Sequence, residues 1–229
     1  MKHDLIIRGG KLVTANETYT ADIGIKDGRI ATLGENLDGD DIINADKKLV
    51  MPGGIEAHCH IAQESANGIM TSDDYETGSV SAAFGGNSCF VPFAAQKRGE
   101  SIASTIAEYD QRAETKSVID YSYHLILTDP NEKVLNELPS AFERGITSFK
   151  VFMTYATRVS DAQFLDILTI ARRHGGLTMV HAENHDMLSW MSNALTQAGY
   201  TEPRYHAPAR PSLAEEEAIN RAISLSKLA

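Results

Sequence analysis

The chain has 229 residues, 42% hydrophobic and 23% charged, with a formal net charge of −10, long enough to bury a sizeable core. That acidic balance, with no basic cluster to offset it, argues against nucleic acid or an anionic membrane surface as partner. The start Met1-Lys2-His3-Asp4 runs into a strand pattern rather than a secretory leader, no apolar run is long enough for a bilayer, and Cys59 and Cys89 read as free thiols, so a cytoplasmic protein is expected.

Short strands open the chain, at residues 4–8, 11–14, 22–26 and 29–33. Asp27-Gly28 between the last two is a two-residue hairpin signal, because that turn needs a positive φ that Asp and Gly tolerate. Residues 1–49 therefore read as a small β-rich subdomain. Residues 50–229 read as a second region, in which strand and helix alternate. Strands are predicted at 49–60, 88–94, 118–127, 147–152 and 177–181. Helices fall between and after them at 73–84, 101–114, 131–144, 161–174 and 185–197, with a last helical pattern at 213–228. The strands are mostly continuous apolar runs, as expected of a parallel sheet covered on both faces. Gly85-Gly86, Gly145 and Gly175-Gly176 follow helical stretches where a left-handed residue is wanted, and Ser160 fits an N-cap.

Five such units are about half of a (β/α)8 barrel, and they also suit a doubly wound sheet. The polar residues favour the barrel. His60, Lys150, Tyr155 and His181 all fall at or just past strand C-termini, which in a barrel converge on one mouth. A barrel needs eight strands, however, and Ala229 lies inside a helical pattern. The sequence therefore reads as truncated, and residues 1–229 alone are expected to be inactive.

The chemistry-bearing residues begin with His58-Cys59-His60, after the apolar approach Leu49-Val50-Met51-Pro52-Gly53-Gly54-Ile55. Strand side chains alternate faces, so His58 and His60 share one and Cys59 takes the other. Two imidazoles on one face are either structural or half of a transition-metal site, for which zinc is well suited. Lys150 lies inside the apolar run Ser148-Phe149-Lys150-Val151-Phe152. Such a lysine either reaches to solvent or a carboxylate such as Glu183, or is desolvated to a neutral amine able to add carbon dioxide and become a carbamate. His181 ends the run Leu177-Thr178-Met179-Val180 and is structural or a ligand, with Glu183 and Asn184 nearby as orienting groups or a helix cap. Tyr155, just past the lysine strand, either packs at the rim or donates to a developing oxyanion. No phosphate loop or Gly-x-Ser-x-Gly nucleophile motif is present.

Together the segments Met51-Pro52-Gly53-Gly54-Ile55-Glu56-Ala57-His58-Cys59-His60, Ala83-Phe84-Gly85-Gly86-Asn87, Ser148 through Tyr155 and Val180-His181-Ala182-Glu183-Asn184 resemble the hydantoinase and dihydropyrimidinase family of the amidohydrolase superfamily. The stretch from Arg210-Pro211 through Glu215-Glu216-Glu217-Ala218 to Arg221-Ala222-Ile223 also looks like that family. The resemblance implies a small N-terminal β-sandwich joined to a (β/α)8 TIM-type barrel. It implies two zinc ions, with His58 and His60 on one, His181 on the other and carboxylated Lys150 bridging them. Tyr155 would polarise the substrate carbonyl while a metal-bound hydroxide opens the ring of a hydantoin or dihydropyrimidine. It further implies a homotetramer, with a further histidine ligand and a catalytic aspartate on later strands. Ile61-Ala62-Gln63 departs from members that carry an acidic residue after the histidines. Two other readings are carried alongside: a non-catalytic scaffold of the same fold, and an amidohydrolase of another cyclic amide such as allantoin or dihydroorotate.

Overall fold

The computed structural model describes residues 2–65 and 68–229. The chain divides into two compact units, Met1–Gly54 and Ile55–Ala229.

The first unit is a five-stranded sheet in the order β3-β2-β1-β4, with β5 also pairing β1. Its strands are β1 (His3–Val13), β2 (Thr18–Lys26), β3 (Arg29–Gly34), β4 (Gly39–Asn44) and β5 (Leu49–Val50). β1 pairs antiparallel with β2 and parallel with β4 and β5. The hairpin between β2 and β3 is the expected one: Lys26 pairs with Arg29 across Asp27 (φ 51) and Gly28 (φ 70). The two strands predicted at 4–8 and 11–14 are instead one. Gly9-Gly10 is a bulge inside β1, where the register slips between Ile7 and Gly10. Gly9 takes a φ of 70, and a Cβ on Gly10 would come within 2.5 Å of Val50 Cγ2. β4 escaped prediction because Asp40 and Asp41 break its apolar signal, and Pro52-Gly53 splits the predicted strand at 49–60 into β5 and β6.

The second unit alternates strand and helix. β6 (Gly54–Cys59), α1 (Tyr75–Phe84), β7 (Asn87–Ala95), α2 (Ile102–Ala113), β8 (Asp120–Tyr121), β9 (His124–Ile126), α3 (Glu132–Glu143), β10 (Ser148–Phe152), α4 (Asp161–Arg173), β11 (Leu177–His181), α5 (His185–Gln197) and α6 (Ser212–Leu228) follow in that order. The predicted strand at 118–127 is two short ones, β8 and β9, both paired to β7. Sheet order is β6-β7-β9-β10-β11, with parallel pairing from β7 through β11. That order never reverses along the chain. A doubly wound sheet would contain a reversal, so the unit is a half-barrel of parallel strands.

Alternation divides the strands cleanly between two faces. One face turns Ala94, Leu125, Phe149 and Val151 into a core shared with Ile106, Leu138 and Ile167 from the helices. The other face carries Phe93, His124, Ser148, Lys150, Phe152 and His181. The helices begin where capping chemistry dictates, with side-chain caps from Asp74, Ser101, Asn131, Ser160 and Asn184. Ser160 forms a reciprocal capping box with Gln163. Ser160→Ala is expected to cost about 1 kcal/mol, read as a lower urea midpoint at unchanged slope. Among the described residues no helix is long and apolar enough to cross a membrane.

Candidate metal centre

The parallel register brings the candidate residues to one face at one end of the half-barrel. Phe93 and Phe152 organise them. The His58 and His60 rings lie 4.8 and 4.9 Å from the Phe93 ring, and 5.7 Å from each other. The Lys150 ammonium sits 5.9 Å from Phe93 and 5.5 Å from Phe152. His181, register partner of Phe152, stacks on it at 5.6 Å, and Tyr155 lies 5.2 Å from His181. Lysine is thus framed by two aromatic rings, with two histidines against one ring and a third against the other. Among the described residues no three His, Cys, Asp or Glu side chains gather into a metal cluster by themselves. The histidines form two separate groups, and Lys150 is the charged side chain framed with both.

Among the described residues Lys150 makes no hydrogen bond or salt bridge to any carboxylate. Glu183, the acid that could have paired with it, is engaged elsewhere. Its two oxygens accept from Arg210 Nη1 at 2.9 Å each, and Oε2 also lies 2.5 Å from His181 Nε2 and 3.4 Å from the Tyr155 hydroxyl. Burial pushes Glu183 upward, but the hydrogen bonds from His181 and Arg210 outweigh it and hold the carboxyl below its ordinary range. Desolvation alone lowers Lys150 from the usual lysine value, in favour of the neutral amine.

The hydrogen bonds also assign the imidazole nitrogens. An ionised carboxylate only accepts, so His181 carries its proton on Nε2 and, when neutral, offers Nδ1 as a lone pair. His60 Nδ1 faces Gln63 Oε1 at 2.6 Å, an amide oxygen, which leaves Nε2 as the lone pair. Imidazoles of this kind are good zinc donors. An ammonium is not, since it repels a cation. The set therefore fits a metal only if Lys150 is converted to an anion.

Tyr155 has a φ of 69, a left-handed backbone that non-glycine residues seldom adopt. It is held there by Arg158, whose guanidinium donates to the Tyr155 carbonyl at 3.0 Å, and by Arg210, 5.5 Å over the ring. A cavity of about 470 Å³ opens onto this group, lined by Lys150, Tyr155, His181, Glu183, His206 and Arg210 among others. Cys59, on the face opposite the histidines, has its thiol pushed up to about 11 by burial and then by Glu56, so it is no nucleophile at neutral pH. His124 was not singled out in the sequence. It is a buried histidine of β9 whose ring packs 5.0 Å from Phe93, and burial lowers it into the neutral form.

This arrangement sets histidines and a lysine at or near the C-terminal ends of the strands of a half-barrel, the end where barrel proteins build their sites. Comparison with known proteins narrows the class. The chain is 41% identical to the D-hydantoinase of Geobacillus stearothermophilus over 98% of its own length and 48% of that protein's. It is 42% identical to the D-hydantoinase of Ralstonia pickettii, over 98% of this chain and 50% of the other. The solved dihydropyrimidinase of Brevibacillus agri NCHU1002 superposes with a TM-score of 0.93 at 41% identity, covering all of this chain (100%) and 50% of that one. No family model matches. The chain spans about half the length of the curated relatives it matches. It is therefore a close homologue, from end to end, of about half of a D-hydantoinase or dihydropyrimidinase.

Proposed function

We propose that this chain is the metal-binding half of a cyclic amidohydrolase that opens the ring of hydantoins or dihydropyrimidines by hydrolysis of a ring C–N bond. In this reading residues 50–229 are the first part of a (β/α)8 barrel, residues 1–49 contribute to a β-sandwich, and the working enzyme is a homotetramer in the cytoplasm. His58 and His60 would hold one zinc ion and His181 the other, with carboxylated Lys150 supplying the anionic ligand that both would share. Bound zinc supplies Lewis acidity and lowers the pKa of water. The chain's own residues do the rest. The Lys150 ammonium first gives up a proton; the neutral amine then attacks carbon dioxide through Nζ, giving a carbamate and releasing a second proton, so that a cation framed with the two histidine groups becomes an anion. Phe93 and Phe152 flank that nitrogen, where partial desolvation favours its neutral form. Glu183 holds the proton of His181 on Nε2. Tyr155 donates its hydroxyl proton to the carbonyl oxygen of the cyclic amide as charge develops there. The observation that carries the reading is Lys150: half-buried, without an acidic partner among the described residues, and framed with His58, His60 and His181.

The test is reconstitution of metal-free full-length protein. Zinc uptake and dihydrouracil or hydantoin hydrolysis should return only when bicarbonate is supplied. Only the neutral amine reacts, so at a fixed concentration of dissolved carbon dioxide loading should speed up as pH rises from 7 to 9. Full zinc uptake in carbon dioxide-free buffer would remove the role of the carbamate. A zinc-loaded protein that hydrolyses no cyclic amide would remove the enzyme.

A further inference from the structure

His124 reaches across three strands. On one side Nε2 lies 2.9 Å from the carbonyl oxygen of Ala57, the residue before His58 on β6. On the other, Nδ1 lies 2.5 Å from the hydroxyl of Ser148, two residues before Lys150 on β10. A carbonyl only accepts, so Nε2 carries the proton, and Nδ1 of the neutral ring accepts from Ser148. The His124 ring and Ser148 are buried, where an unpaired polar group is costly, and the bond to Ala57 is partly buried. β7 lies between β6 and β9 in the sheet, so this link passes across the Phe93 strand rather than along a backbone ladder. It joins two segments that sequence holds far apart: the one bearing His58 and His60, and the one bearing Lys150.

We propose that His124 is a positioning residue that sets the His58–His60 pair against Lys150 by tying the Ala57 carbonyl to Ser148. It touches neither substrate nor metal; it fixes the spacing of groups that do. The inference rests on the metal-centre reading above, and its test separates the two. Zinc affinity is measured on the full-length protein by competition with a chromophoric chelator, together with the melting temperature of the metal-free form. His124→Leu keeps the volume and removes both hydrogen bonds. It should weaken zinc about 10- to 100-fold, the usual loss when a group that orients ligands is removed. His124→Gln keeps a donor near the Ala57 carbonyl and should recover most of that affinity. A ring that only fills space predicts the opposite order, since leucine fills the core better than glutamine does. Parent affinity in His124→Leu, or equal loss in both variants, overturns the proposal while leaving the metal centre intact. If His124→Leu does not fold, Ser148→Ala decides, because it leaves the ring in place and removes its second anchor: weakened zinc at an unchanged metal-free melting temperature supports the link, and unchanged affinity refutes it. A parent protein that binds no zinc overturns both readings at once.

Discussion

If the proposed centre is right, with about two zinc ions per subunit, Lys150→Ala is expected to lose most of that zinc, and turnover with it. The physical reason is charge. The candidate ligands other than Lys150 are neutral imidazoles, and two doubly charged ions a few ångströms apart repel each other by on the order of 10 kcal/mol even at a protein-like dielectric. Only an anion between them offsets that. Alanine supplies none, and it leaves a gap bounded by Phe93 and Phe152 where the side chain stood. Short carboxylic acids such as acetate or propionate fit that gap and carry the missing charge, so they should restore part of the metal and part of the rate. Metal analysis and a ring-opening assay, with and without added acid, read both effects. Normal zinc content and normal turnover in the variant would return Lys150 to the structural lysines.

Tyr155→Phe separates chemistry from assembly. The ring should stay where it is, because Phe152, His181 and Arg210 surround its face and edge rather than its hydroxyl. Metal content should therefore be unchanged. Losing the single donor aimed at a developing oxyanion typically costs roughly 10²–10³ in kcat, with KM little altered. Near-native kcat would place Tyr155 among residues that merely pack.

Much of this molecule was legible before any coordinates. β10, β11 and α5 fall where the apolar runs and caps put them, because each is a largely apolar strand or a side-chain-capped helix with few competing signals. The errors share a cause. Gly9-Gly10 carries the composition of a turn but is a bulge, and whether the chain reverses or continues there depends on the packing of Val50 against Gly10. Likewise the run at 118–127 reads as one strand, yet it divides at Ser122, whose amide bonds back to Phe90. The candidate site was legible as residue types and their spacing, but not as chemistry. Lys150 could have paired with Glu183, and only the structure gives that carboxylate to Arg210 and His181. His124 left no trace in the sequence at all. Its significance lies in Ala57 and Ser148, which are distant along the chain and have unremarkable side chains.

The left-handed backbone at Tyr155 sets stability against use. An L-residue in that conformation costs roughly 1–2 kcal/mol relative to an ordinary one, while glycine adopts it freely. Tyr155 is 40% exposed, so the packing of its ring on Phe152, His181 and Arg210 repays only part of this cost. Tyr155→Gly should therefore melt at a higher temperature than the parent while opening no rings. A selection for thermostable variants that never measured turnover would discard this tyrosine early, and the fold would improve with every such loss. Strain of this kind gathers where structure serves function, and the proposed role of the Tyr155 hydroxyl would account for its being kept.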